Sequence, residues 1–121
     1  MSKMQNSKRY DLENRTLNFA KRVRSYVRKL PKVTGILEDT KQLIRSSGSV
    51  GANYIEANEC ISRKDFVLRI KICRKEAKES HFWLRLLTFE ENMELEKARG
   101  VLEREAYELA CIFGSILSKV Q

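Results

Sequence analysis

The chain has 121 residues, 42% of them hydrophobic and 33% charged, and its 24 Lys/Arg against 16 Asp/Glu give a formal net charge of +8. That length fits one domain able to bury roughly two-thirds of its unfolded surface, so neither a disulfide nor a metal is needed for folding. No stretch approaches the ~20 apolar residues of a membrane span and the start has no apolar run of the secretory kind, so a cytoplasmic protein is expected.

Cys60, Cys73 and Cys111 are odd in number, widely spaced and without a CxxC pair, and His81 is the only histidine. A disulfide framework and a zinc site are both unsupported, and reduced thiols are expected, with no metal and no cofactor. Charge is segregated along the chain. Residues 1–30 hold nine Lys/Arg against two acids, residues 63–85 hold eight against three, and residues 90–108 hold seven Glu against three Lys/Arg.

Residues 1–9 read as a disordered basic tail, and residues 10–121 as a single domain. A first helix is predicted over residues 10–30, where Leu12, Thr16, Phe19, Val23, Tyr26 and Leu30 alternate spacings of four and three, the period of one helix face. Pro31 ends it. Its outer face offers Lys21, Arg22, Arg24, Arg28 and Lys29.

A second helix over residues 33–59 carries Leu37, Thr40, Leu43 or Ile44, Ser47, Val50, Tyr54 and Ala57. Within it Ser46, Ser47, Gly48, Ser49, Val50, Gly51 and Ala52 are unusually small, and each Gly costs about 1 kcal/mol against Ala in a helix. No strand precedes this run and no Lys-Ser/Thr follows, so a phosphate loop is not indicated. Small side chains there predict close approach of another helix, or a bend. Of Asn53, Glu56, Asn58 and Glu59, any that is buried requires a partner such as Arg63 or Lys75.

The third helix is predicted from a Ser62 cap to about residue 88, and it carries three stripes where an ordinary surface helix carries one. Phe66, Ile70, Cys73, Ala77, Ser80, Leu84 and Leu87 form a core seam. On nearly the opposite face, Leu68, Ile72, Lys75, Glu79, Phe82, Leu86 and Phe89 are apolar at both ends, and Leu68, Ile72, Phe82 and Leu86 predict an oligomer interface. Between the two, Lys71, Arg74, Lys78, His81 and Arg85 form a cationic ridge. A fourth helix follows an Asn92 cap, with Leu95, Ala98, Leu102, Ala106, Leu109, Phe113, Ile116 and Val120 as its seam. Four helices of about 20 to 28 residues joined by short turns predict an all-α, antiparallel up-down-up-down bundle.

The run RSSGSVGANYIE over residues 45–56, then Ser62-Arg63-Lys64-Asp65-Phe66 and residues 72–79, resembles the signature of the bacterial four-helix-bundle proteins named after open reading frames in 23S rRNA intervening sequences. The opening YDLENRTLNFAKRVR and the later KICRKEAKESHFWLRLL resemble a common subgroup, so the likeness spans nearly the whole chain. Asn53, Glu56, Ser62, Phe66 and Glu79 match, whereas Gly51 stands where many members have Pro and Ala57 where many have Gly. The resemblance implies assembly into a ring, typically a pentamer. It also implies kinship with the accessory variability determinant of diversity-generating retroelements, a basic pentamer that partners a reverse transcriptase.

Binding to nucleic acid through backbone phosphates, RNA before DNA, is therefore the leading functional expectation. Its candidate residues are Lys21, Arg22, Arg24, Arg28 and Lys29 on the first helix and Lys71, Arg74, Lys78 and Arg85 on the third. Tyr26 and Phe82 lie on apolar stripes and are better explained as packing than as base platforms. The alternative is an oligomeric protein-interaction scaffold, in which the basic faces meet the acidic residues 90–108 of an adjoining copy. Membrane-surface binding is disfavoured because the apolar stripes are needed inside. Catalysis has least support, since His81 has no neighbouring nucleophile and the carboxylates form no Glu-x-x-His motif, so no catalytic residue is assigned.

Overall fold

The structure is a computed structural model that describes residues 3–121, with side chains from Asp11 onward. It contains four helices and, among the described residues, no strand: α1 (Lys3–Val27), α2 (Thr34–Glu59), α3 (Arg63–Leu86) and α4 (Met93–Val120). The all-α class expected from the 3.6-residue period is what is found. The tail expected over residues 1–9 lies outside the residues whose side chains are described, although α1 is helical from Lys3. No helix among the described residues is long and apolar enough to cross a membrane.

The α1 seam points inward as its spacing requires, with Thr16, Phe19, Val23, Tyr26 and Leu30 buried and Leu12 packed at the edge. The helix stops earlier than periodicity alone suggests. Pro31 disfavours helical geometry at Leu30, and the chain tightens into a turn in which the Lys29 amide donates to the Tyr26 carbonyl at 3.0 Å and the Leu30 amide to Val27 at 3.1 Å.

In α2 the buried set is Thr40, Leu43, Ser46, Ser47, Val50, Tyr54 and Ala57. Leu37 is the exception. It is exposed, and its neighbour Ile36 packs against the core instead, because a step of one residue turns the side chain about 100° around the axis. The small-residue run does admit close neighbours. A Cβ built on Gly51 would lie 2.9 Å from Thr16 Oγ1, so α1 crosses α2 there at a distance only Gly allows. Toward α3, the Ser46 and Ser80 hydroxyls meet at 2.8 Å in the buried interior. The expected partners for the polar residues that follow are replaced by others: Asn53 accepts from Arg69 at 2.9 Å, and Asn58 donates to Glu13 at 2.9 Å. Arg63 instead donates to the Val120 carbonyl at 2.9 Å.

The Ser62 hydroxyl accepts from the Asp65 amide at 3.1 Å and the Asn92 side chain from the Leu95 amide at 3.1 Å, so both predicted caps start their helices. Along α3, Ile70, Cys73, Ala77, Ser80 and Leu84 are buried, and burial pushes the Cys73 thiol up to about 12. Along α4, Leu95, Leu102, Ala106, Leu109 and Phe113 are buried as expected, Ala98 and Ile116 are partly buried against the core, and Leu117, outside the expected seam, is buried as well. Tyr54 of α2 meets Phe113 of α4 across the core, ring centroids 5.8 Å apart.

Neighbouring helices are also joined by charge. Arg45 of α2 donates to Glu76 and Glu79 of α3 at 2.9 and 2.7 Å. Arg15 of α1 reaches Glu105 and Glu108 of α4 at 2.7 and 3.2 Å. In sequence order each helix packs on the next and α4 closes against α1, whereas the backbones of α1 and α3 nowhere approach within 8 Å among the described residues.

Candidate nucleic-acid interface

The nine expected phosphate ligands fall into two groups that the fold keeps apart. Because the backbones of α1 and α3 are not adjacent among the described residues, their outer faces lie on different sides of the core. On the α1 side, Lys21, Arg22, Arg28 and Lys29 are exposed. Arg28 and Lys29 sit in the turn beyond Val27, where positive charge faces the partial negative end of the helix. Arg24 is half-buried and does not belong to this open group. Its guanidinium lies 3.3 Å from where a Gly48 Cβ would stand, and it donates to the Ala20 carbonyl at 3.2 Å, so the missing side chain of Gly48 gives it a seat on α2.

On α3, Lys71, Arg74 and Lys78 are exposed at spacings of three and four, one above another on the outer ridge. No carboxylate lies within ion-pair distance of any of them among the described residues. Arg85 differs, because its Nε is 3.8 Å from Glu103 of α4, which also takes His81 Nε2 at 3.5 Å and Arg99 at 2.8 Å. The lower part of the ridge is thus open and its upper end is partly neutralised by the chain's own acid.

A shallow depression of about 820 Å³ opens on this surface, lined by Lys71, Arg74, Lys75 and Lys78, by the paired Arg45 and Glu79, and by Phe82 and Trp83. Lys75 was expected within the apolar second stripe, yet it adds its charge to the same surface. The clue was its place one residue from Arg74 and three from Lys78. A smaller groove of about 340 Å³ opens between α3 and α4, bounded by Arg74, Lys78 and His81 on one side and Tyr107, Ala110 and Gly114 on the other. Tyr107 was not singled out from the sequence. It sits off the α4 seam among polar residues, and 58% of it is exposed.

The candidate interface stripe stands uncovered by this chain at its ends. Leu68 is 55% exposed, Phe82 55% and Leu86 51%, while Ile72 is partly buried. Phe82 packs edge-on against Trp83, ring centroids 5.0 Å apart. In the middle of the stripe, Glu79 is held by Arg45 rather than by Lys75.

Comparison with known proteins adds two findings. A crystal structure at 1.70 Å of a protein of unknown function from the S23 ribosomal protein family of Bacteroides thetaiotaomicron VPI-5482 is similar in fold, with a TM-score of 0.71 and 29% sequence identity over 88% of this chain and 97% of that one. Among curated proteins none matches. The family profile described as 23S rRNA-intervening sequence protein matches residues 8–111, most of the chain and all nine of the candidate cations. By the extent of that match the chain belongs to the 23S rRNA-intervening sequence protein family.

Proposed function

We propose that this protein is a non-enzymatic, cytoplasmic, oligomeric bundle that binds nucleic acid, RNA in preference to DNA, through backbone phosphates. The observation that carries the reading is the row Lys71, Arg74 and Lys78, three exposed cations on one face of α3 with no carboxylate within ion-pair distance among the described residues. Cations left unneutralised on one face attract a polyanion and release its condensed counterions. RNA is put before DNA on the family's description as 23S rRNA-intervening sequence protein, which places its genes beside rRNA sequence.

An antiparallel up-down-up-down arrangement is supported by the order of the contacts: Glu13 meets Asn58 and Thr16 meets Gly51, while Arg45 meets Glu76 and Asn53 meets Arg69. Self-assembly, with a pentameric ring as the form the family resemblance suggests, is supported by the half-exposed Leu68, Phe82 and Leu86. A reverse transcriptase is a candidate protein partner on the same resemblance.

The test is retention of labelled RNA and DNA across a salt titration. Affinity is expected to fall steeply with salt, and Lys71→Glu, Arg74→Glu and Lys78→Glu together should weaken binding and flatten the slope. Binding that is indifferent to salt, or that survives the triple reversal, overturns the phosphate mechanism. The scaffold reading retains one specific support: Glu90, Glu91 and Glu94 make no ion pair among the described residues. Glu96, Glu103, Glu105 and Glu108 are engaged within the chain, which narrows the acidic surface available to a neighbour.

A further inference from the structure

The groove between α3 and α4 has features that a face built only for phosphates does not require. One wall carries Arg74, Lys78 and His81, and the other carries Tyr107. Ala110 and Gly114 lie one and two helix turns beyond Tyr107 and keep the floor low, and a Cβ on Gly114 would already touch the Arg74 guanidinium at 3.7 Å. At about 340 Å³ the space is at the small end of the range that holds single small ligands.

Tyr107 is the unusual member. A tyrosine on a helix exterior normally lays its ring on the neighbouring helix, yet more than half of this one is exposed. Its ring meets His81 at 6.1 Å and is tilted by 50°, so the two are not stacked and the contact does not cover the phenol ring. His81 Nε2 lies 3.5 Å from the Glu103 carboxylate. A largely exposed aromatic side chain beside two cations with no carboxylate partner among the described residues is the combination that single-stranded nucleic acid recognises, bases by stacking and phosphates by charge.

We propose that the α3–α4 groove takes one unpaired nucleotide, its base stacked on Tyr107 and its flanking phosphates on Arg74 and Lys78. This rests on the nucleic-acid reading and sharpens it, since a helical duplex keeps its bases stacked inside and has none to offer Tyr107. The site is selective for single strands and tolerant of base identity, because every base has a π face.

The experiment compares a labelled oligouridylate with an RNA duplex of equal phosphate number, using the full chain at fixed salt. Tyr107→Ala is expected to weaken oligouridylate binding about 5- to 150-fold, the range of one lost stacking contact, with the duplex affinity and the salt slope unchanged. Tyr107→Phe should bind as the parent does. Gly114→Leu, which fills the groove without altering charge, should reproduce the oligouridylate loss, and circular dichroism establishes that each variant stays helical. Equal weakening of both probes by Tyr107→Ala, or of neither, overturns the nucleotide groove and leaves the phosphate reading standing. Failure of the unaltered protein to hold either probe at low salt overturns both.

Discussion

Thr16 and Gly51 are packed so closely that any side chain at residue 51 must displace one of the two helices: a Cβ there would stand 2.9 Å from Thr16 Oγ1 and 3.2 Å from its Cβ. Thr16 is buried and its hydroxyl already donates to the Glu13 carbonyl at 2.9 Å, so it has little room to yield. Gly51→Ala should gain up to about 1 kcal/mol of helix propensity and lose about 1 to 3 kcal/mol to overpacking, a net destabilisation. Gly100, with nothing within 4 Å of its Cβ position, is the control, and Gly100→Ala should stabilise by about 0.5 to 1 kcal/mol. Urea unfolding of the two variants gives both signs, and a stabilised Gly51→Ala would refute the close crossing.

Arg45 holds the one carboxylate that α3 buries. Glu76 is only 4% exposed, and its sole charged partner among the described residues is Arg45 at 2.9 Å. Arg45→Ala leaves that carboxylate without a donor and should cost about 1 to 3 kcal/mol. Glu79 is more open, so Glu79→Gln should change stability by less than about 1 kcal/mol. Equal effects of the two substitutions would show that burial of Glu76 does not matter.

The turn between α3 and α4 carries an acid-sensitive contact. The Arg99 side chain, followed by the Phe89 backbone amide, holds the Glu96 carboxyl below its usual 4.5. A group whose folded pKa is depressed contributes stability above its unfolded pKa and loses it as pH falls through the folded value. Wild type and Glu96→Gln should therefore differ most above about pH 4.5 and converge at lower pH. Unfolding free energies measured across that range check this, and a difference that grows on acidification would reverse the assignment.

Much of this was legible in the residues themselves. The α1 seam from Thr16 to Leu30, the caps at Ser62 and Asn92 and the small-residue approach on α2 follow from period, hydrogen-bonding capacity and side-chain volume, all local properties. What could not be read locally depends on which helices touch. Arg24 looks like its neighbours Lys21 and Arg22 until Gly48 of α2 is found beneath it. The separation of the two cationic sets depends on α1 and α3 being apart, and the pairing of Arg85 with Glu103 depends on α4 lying beside α3. Tyr107 has no periodic signature because it stands outside the α4 seam.

The three thiols should differ sharply in reactivity. Cys111 is exposed, Cys60 is intermediate with its Sγ donating to the Glu56 carbonyl at 3.2 Å, and Cys73 is buried and pushed up to about 12. Only a thiolate attacks a disulfide reagent, forming a mixed disulfide and expelling the reagent's other thiol, so near pH 8 Cys111 should be modified first, Cys60 more slowly and Cys73 only after denaturant is added. Mass spectrometry of the partly labelled protein identifies the order. Prompt labelling of Cys73 in the native protein would contradict its place in the core.

The uncovered stripe of α3 yields a prediction about size. Leu68→Asp with Leu86→Asp should give a smaller particle by sedimentation while helicity is kept, because neither side chain belongs to the chain's own buried core. An unchanged sedimentation coefficient would remove this stripe as a contact between copies.

The separation of α1 from α3 gives each copy two cationic sides rather than one broad one. If both take phosphate, a single subunit is divalent: it can clasp one strand with Lys21 and Arg22 and a second with Lys71 and Lys78, with the apolar core as a fixed spacer. Long RNA would then be cross-linked rather than merely coated, and turbidity should peak at an intermediate ratio of protein to RNA and clear when either is in excess.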